Sequence, residues 1–199
     1  MYNWIGDFMR TIKNNTANEI IIKNSRFICL LIKINSENVS HILNDIKIKY
    51  PKANHYCYGY IYNDIQRFSD DGEPGGTAGV PIMEVLLKND LNYVLCVVVR
   101  YFGGIKLGAG GLVRAYSKSV SSSLIDDNIT FLIDGYSIQL IVSYDEQKRL
   151  DYILKDYEFN KTFSDVVTYI VNIPKDDINI LESYNYNILS EIQIEKDAS

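Results

Sequence analysis

No run of this 199-residue sequence approaches the ~18 consecutive apolar residues that a membrane-spanning helix needs. The opening segment, MYNWIGDFMRTIKNN, lacks a charged start followed by an apolar stretch and a small-residue cleavage site, so it does not read as a secretion signal. Cysteine is scarce: Cys29, Cys57 and Cys96 are odd in number, widely spaced and set in strand-like text. That predicts reduced thiols in a cytoplasmic protein, not a disulfide framework. Histidine is scarcer still, with only His41 and His55, and neither Cys-x-x-Cys nor His-Glu-x-x-His occurs. A histidine-rich metal site or a zinc peptidase site is therefore not expected, and no cofactor is implied.

An apolar content of 47% is enough to bury a core, and the length allows one or two domains. Charge is unevenly spread. Residues 1–129 carry 14 basic and 12 acidic side chains, a balance of +2; the rest carry 6 and 13, a balance of −7. A globally acidic chain is a poor non-specific nucleic-acid binder. Any such binding must come from a local patch in the N-terminal part, leaving the acidic C-terminal part as a solvating or protein-facing module.

Periodicity outlines the elements. Residues 20–34 read as two extended segments around a turn at Asn24-Ser25. Val39, Ile42, Leu43 and Ile46 recur at helical spacing between a candidate N-cap, Ser36, and Pro51. Residues 55–62 alternate as a strand, 63–81 form a long polar Gly/Pro-rich loop, and 81–88 a short helix with Pro81 in its first turn. Residues 93–100 are continuously apolar, as in a strand buried on both faces. A glycine-rich turn leads to a helix over about 107–125 with Leu112, Val113, Tyr116, Val120 and Leu124 facing inward. A polar patch at 127–134 marks a boundary. Beyond it, strand (136–143), helix (145–157), one or two strands (to 173), helix (174–183) and strand (187–194) suit a ferredoxin-like α+β sandwich. The fold class is thus α+β, with domains at 1–129 and 130–199.

Three segments carry candidate chemistry. GGIKLGAGG, 103–111, joins a buried strand to a helix, where backbone N–H groups cradle anions. It satisfies neither standard phosphate loop: Val113 stands where the dinucleotide fingerprint needs its last glycine, and Ala109-Gly110 where the P-loop needs Lys-Ser/Thr. Lys106, Gly110, Arg114 and Lys118 fall at four-residue steps, on one face of a continuous helix. Like charges so spaced repel by about 0.2–0.5 kcal/mol per pair, so the stripe is either a solvated basic face or one turned toward phosphate. Arg100, Gly103, Gly104, Lys106, Gly108, Gly110, Gly111, Arg114 and Lys118 form the candidate anion or nucleic-acid group.

The acidic run SDDGEPGGTAGVP, 69–81, departs from the calcium-loop pattern. Its glycines permit unusual backbone angles, and its acids either pair with nearby cations, bind a metal, or orient Arg100, Lys106 or Arg114 from behind. Ser69, Asp70, Asp71, Gly72, Glu73 and Thr77 are the candidate supporting loop. The strand at 55–62 presents Tyr56, Tyr58, Tyr60 and Tyr62 on one face; Tyr56 and Tyr58 are candidates for base stacking or, more simply, sheet packing. His55 and Cys57 share the other face as a possible thiol–imidazole pair with no third group evident to orient the base.

These segments together resemble the YigZ/IMPACT family. Lys23-Asn24-Ser25-Arg26-Phe27 is similar to its early Lys-x-Ser-Arg-Phe segment, and Ala53 to Tyr60 to its Ala-x-His-x-Cys-x-Ala-Tyr strand, with Gly59 for alanine. Residues 69–81 and 97–116 match almost without a break. Ser143-Tyr144-Asp145, Asp151-Tyr152 and 166–173 are more loosely similar to the accessory domain of bacterial YigZ-type members, and a chain beginning directly with the family domain looks like that type. The resemblance implies a first domain with the fold of the second domain of a small-subunit ribosomal protein, the ribonuclease P protein and galactokinase-group kinases, arranged β-α-β-α. It implies a second domain like the C-terminal domain of elongation factor G. Eukaryotic relatives regulate translation under stress. The expected function is non-enzymatic and translation-linked: the N-terminal domain binds RNA or a ribosomal surface, the C-terminal domain a protein partner, and no membrane is involved. The rivals are an enzyme or ligand binder acting on a phosphorylated compound at the 69–81 and 103–111 loops, and a protein-interaction adaptor.

Overall fold

The structure is a computed structural model that describes residues 9–196. Residues 1–8, on which most of the secretion-signal reading rests, lie outside it. The chain divides into two units, Met9–Thr130 and the remainder from Phe131. Both mix helices with antiparallel sheet, the α+β class.

The first unit contains β1 (Met9–Ile12), β2 (Thr16–Ile22), β3 (Ser25–Lys33), α1 (Ser40–Lys49), β4 (His55–Tyr62), β5 (Ile65–Ser69), α2 (Gly79–Lys88), β6 (Val94–Tyr101) and α3 (Ala109–Ser121). Its sheet runs β2-β3-β6-β4-β5, each neighbour antiparallel. The apolar run of β6 lies at the centre because both of its faces are covered. Val94, Cys96 and Val98 pack with α2 and α3. Leu95, Val97 and Val99 pack against the α1 side. Burying each such side chain stabilises by about 1.5–3 kcal/mol, which makes β6 the anchor for the loops at its end.

Several elements depart from the sequence expectation. The turn between β2 and β3 is Lys23-Asn24, with φ of 45° and 63°. Two positive φ angles in a two-residue loop give the primed turn whose twist matches the flanking strands. Ser36 does not cap α1; Val39 precedes the helix, and the Ser36 hydroxyl accepts the Asn38 N–H instead. The 63–81 segment is not all loop, since β5 pairs with β4. Helix α3 is shorter than expected and starts at Ala109. Leu112, Tyr116 and Val120 are buried, but Ala115 and Ser119 complete the inner face while Val113 is only half-buried.

The second unit contains most of β7 (Ile129–Val142), then α4 (Tyr144–Ile153), β8 (Phe159–Phe163), β9 (Val167–Pro174), a 3-10 segment (Lys175–Leu181) in place of the expected helix, and β10 (Tyr186–Lys196). Its strands run β10-β7-β9-β8, all antiparallel. One sheet face buries Ile138, Leu140, Tyr169 and Val171 against Leu150 and Leu154 of the α4 region. A capping box, Ser143 with Glu146, starts α4. No helix among the described residues is long and apolar enough to cross a membrane.

Candidate nucleic-acid interface

The acidic loop between β5 and α2 is organised by its carboxylates. Asp70 accepts the backbone N–H groups of Gly76, Ala78 and Gly79 at 2.8–2.9 Å. It serves the start of α2, where Ala78 has no side chain to cap the helix. Partial burial disfavours its charge, but these N–H bonds outweigh that and hold the carboxyl below its ordinary range. Asp71 accepts the Tyr56 N–H at 2.7 Å, and its carbonyl accepts His55 Nδ1–H at 2.8 Å. That bond fixes the imidazole tautomer and turns Nε2 toward Glu73, 3.9 Å away. The Ser69 hydroxyl accepts the Asp71 N–H, Gly72 passes the imidazole with φ +83°, and the buried Thr77 hydroxyl donates to the Pro74 carbonyl. Asp70, Asp71 and Glu73 point to three different sets of partners. Among the described residues no three His, Cys, Asp or Glu side chains converge as metal ligands.

Glu73 turns inward and is 3% exposed. Its Oε1 accepts Arg100 Nη1 in direct contact and the Tyr116 hydroxyl at 2.8 Å. Glu73 thereby ties the acidic loop to the end of β6 and to α3. The guanidinium of Arg100 lies over two rings, Phe27 at 5.4 Å and Phe102 at 5.6 Å. Expected among the phosphate-facing cations, Arg100 is instead buried, its charge already matched by Glu73. The sequence allows this pairing but does not choose it, because loop spacing does not encode which acid folds inward.

His55 and Cys57 do not form a dyad. The imidazole donates to the Asp71 carbonyl, while the thiol proton is offered to the Asp70 carbonyl (3.0 Å) or the Tyr116 hydroxyl (3.3 Å). Burial pushes the Cys57 thiol up to about 12, so it is a protonated packing group at neutral pH. Tyr56 and Tyr58 stand on the α1 side, half-buried, and the Tyr56 hydroxyl donates to the Tyr50 carbonyl.

The glycine-rich loop follows β6. Asn54 accepts the Phe102 N–H at 2.8 Å, and the Ser25 hydroxyl accepts the Gly103 N–H at 3.1 Å. A Cβ on Gly103 would fall 2.0 Å from the Asn24 carbonyl carbon, so only glycine fits against the Lys23-Asn24 turn. Gly108 precedes α3 at φ 72°, and the first turn has neither a capping side chain nor an acidic residue. The first N–H groups and the helix dipole therefore present positive charge at an exposed start.

Lys106 lies before the helix, so it does not continue the four-residue stripe; Gly110, Arg114 and Lys118 do. The Arg114 guanidinium leans back over the first turn, its Nη1 3.6 Å from where a Cβ of Gly110 would stand. Lys106, Arg114 and Lys118 are exposed. None of them forms an ion pair among the described residues. Sequence reasoning misses Lys23, Asn54 and Phe102 at this loop. The signal for the first two is their place in the motif-like segments 23–27 and 53–60, which the strands bring to one end of the sheet.

A family model described as the Impact N-terminal domain matches residues 23–124, from the Lys23 turn through α3. IMPACT family member YvyE of Bacillus subtilis (strain 168) is 50% identical over 118 residues, 57% of this chain and 54% of that protein. IMPACT family member YigZ of Escherichia coli (strain K12) is 41% identical over 109 residues, 52% of this chain and 53% of that protein. The matched stretch thus spans about half the length of these curated relatives. A solved structure titled as that of an hypothetical protein superposes with TM-score 0.61 at 26% identity, covering 94% of this chain and 99% of the other. The segments that build the two loops lie within the residues that the family model matches, and the chain belongs to the IMPACT family.

Proposed function

We propose that this chain is a non-enzymatic, translation-linked cytoplasmic protein whose first unit binds RNA, free or on a ribosomal surface, through the start of α3. The observation that carries the reading is the pair of exposed cations, Lys106 before a glycine-rich helix start with no capping side chain and Arg114 leaning over its first turn. Lys118 lies further along the helix, in its last turn, and none of the three is in an ion pair among the described residues. Exposed cations of one sign supply the electrostatic footprint of phosphate binding. The reactive candidates do not assemble: the Cys57 thiol is held protonated and His55 is engaged by the acidic loop. The order β10-β7-β9-β8 with antiparallel pairs supports the ferredoxin-like reading of the second unit, although a 3-10 segment stands where that fold has its second helix. Its acidic balance favours a protein partner over nucleic acid.

The test is RNA or ribosome binding by the Lys106→Ala/Arg114→Ala double variant across a salt series. Loss of two phosphate contacts lowers the slope of log affinity against log salt by about 1.4 for a single strand. Unchanged affinity and slope would remove these residues from the interface. A thermal-shift series with mononucleotides and Mg²⁺ checks the rival reading, a small phosphorylated ligand in the same cradle; such a ligand raises the melting temperature by an amount set by the logarithm of its concentration relative to its dissociation constant.

A further inference from the structure

Phe102 is 45% exposed, although it directly follows a buried strand and sits at the base of the basic loop. Its backbone is fixed by the Asn54 side chain at 2.8 Å, and the next residue by Ser25 at 3.1 Å. One ring face carries the Arg100 guanidinium, 5.6 Å from the centroid. At 45% exposure the residue keeps accessible surface beyond what the guanidinium covers. Arg100 is itself immobilised, sandwiched against Phe27 and bonded to Glu73. The result is a rigid, cation-backed aromatic platform that loses little conformational freedom when a flat group settles on it. Gly103 and Gly104 follow directly, then Lys106 and the open start of α3.

We propose that Phe102 stacks an unpaired nucleobase whose adjoining phosphates are held by Lys106, Arg114 and the first turn of α3. This deepens the RNA-binding reading, on which it rests, by naming the substrate class: a single-stranded segment rather than a duplex. Bases in a duplex already stack on each other and offer no open face, whereas an exposed ring followed in the chain by cations that form no ion pair among the described residues suits a splayed-out strand. Of the two readings open for Tyr56 and Tyr58, their place among the residues packed on the α1 side of the sheet favours sheet packing, and the stacking role falls to Phe102.

The experiment measures fluorescence anisotropy with a short labelled oligouridylate, its deoxy counterpart and a labelled RNA duplex, using the full chain. Phe102→Ala weakens both single strands by about 5- to 150-fold and leaves the duplex unchanged. Phe102→Leu, which keeps an apolar cover over Arg100 but has no aromatic face, weakens them similarly, and Phe102→Trp retains binding. Equal melting temperatures of the variants and the parent exclude a folding effect. The platform is overturned if Phe102→Ala and Phe102→Leu bind single strands as the parent does while Lys106→Ala/Arg114→Ala is weakened; phosphate binding then survives alone. It is equally overturned if the duplex loses as much as the single strands. No binding of any probe by the unaltered protein at low salt overturns the platform and the RNA-binding reading together.

Discussion

Glu73 is the residue through which the acidic loop, β6 and α3 meet. Glu73→Ala leaves the buried Arg100 charge without its counter-ion and removes the acceptor for the Tyr116 hydroxyl. Breaking one side of a buried pair costs about 3–5 kcal/mol, because the surviving charge stays out of water. Tyr116→Phe, which spares the ion pair, is expected to cost about 1–3 kcal/mol. Urea unfolding of the two variants checks the ranking, and a Glu73→Ala protein as stable as the parent would contradict the contact. Cys57 gives a second residue-scale prediction. Its thiol is buried and pushed up to about 12, so native protein at neutral pH resists iodoacetamide while urea-unfolded protein reacts readily. Cys29 and Cys96, buried with sulfurs 3.6 Å apart, share that protection. Rapid native alkylation at Cys57, read by peptide mass, would count against this placement.

Among the elements, glycine positions separate two physical demands. Gly103 is required by contact: any side chain meets the Asn24 backbone at 2.0 Å, and neither strand end is free to yield. Gly103→Ala should therefore fold poorly or melt well below the parent. A methyl group added to Gly75 would have no atom within 4 Å, and the residue has no positive φ. Gly75→Ala should be neutral or stabilise by about 0.4–1 kcal/mol through the unfolded chain. Thermal melts of the pair check both, and similar melting temperatures would show that the turn does not press on Gly103. The same elements show what is legible in a sequence. The alternation of 55–62 and the apolar run of 93–100 mark β4 and β6 to within a residue, because burial dictates side-chain periodicity. The expected start of α3 at Leu107 falls too early, since a glycine-rich entry has no capping residue to announce it. The basic stripe consequently loses Lys106 as a helical member, although the residue remains beside the loop. Arg100 is misread for a different reason: charge is visible in a sequence, but its cancellation by Glu73 depends on a fold that brings together residues 27 positions apart.

At the scale of the whole molecule, each unit keeps a carboxylate whose ionised form is stabilised by folding. Asp70 is one, held by the N–H groups at the start of α2. Asp151 is the other: partial burial opposes its charge, but Lys161 at 2.8 Å and the Tyr169 hydroxyl at 2.7 Å hold its carboxyl below the ordinary range. The sign follows from linkage. A folded pKa below the unfolded value of about 3.9 means that the unfolded chain binds protons first as pH falls. The stabilisation is fully present above that unfolded value and is lost as pH drops through the lower folded one. The melting temperature is therefore expected to be flat from about pH 6 to 5 and to fall steeply below about pH 4. Asp70→Asn and Asp151→Asn each lower the melting temperature at pH 6, where the lost carboxylate was ionised. Each also makes the acid-side fall shallower, because one of the groups that drives it has gone. Circular dichroism melts between pH 3 and 6 compare the three proteins. Curves that stay parallel down to pH 3 would show that neither carboxylate is linked to folding, and the hydrogen bonds assigned to Asp70 and Asp151 would have to be withdrawn.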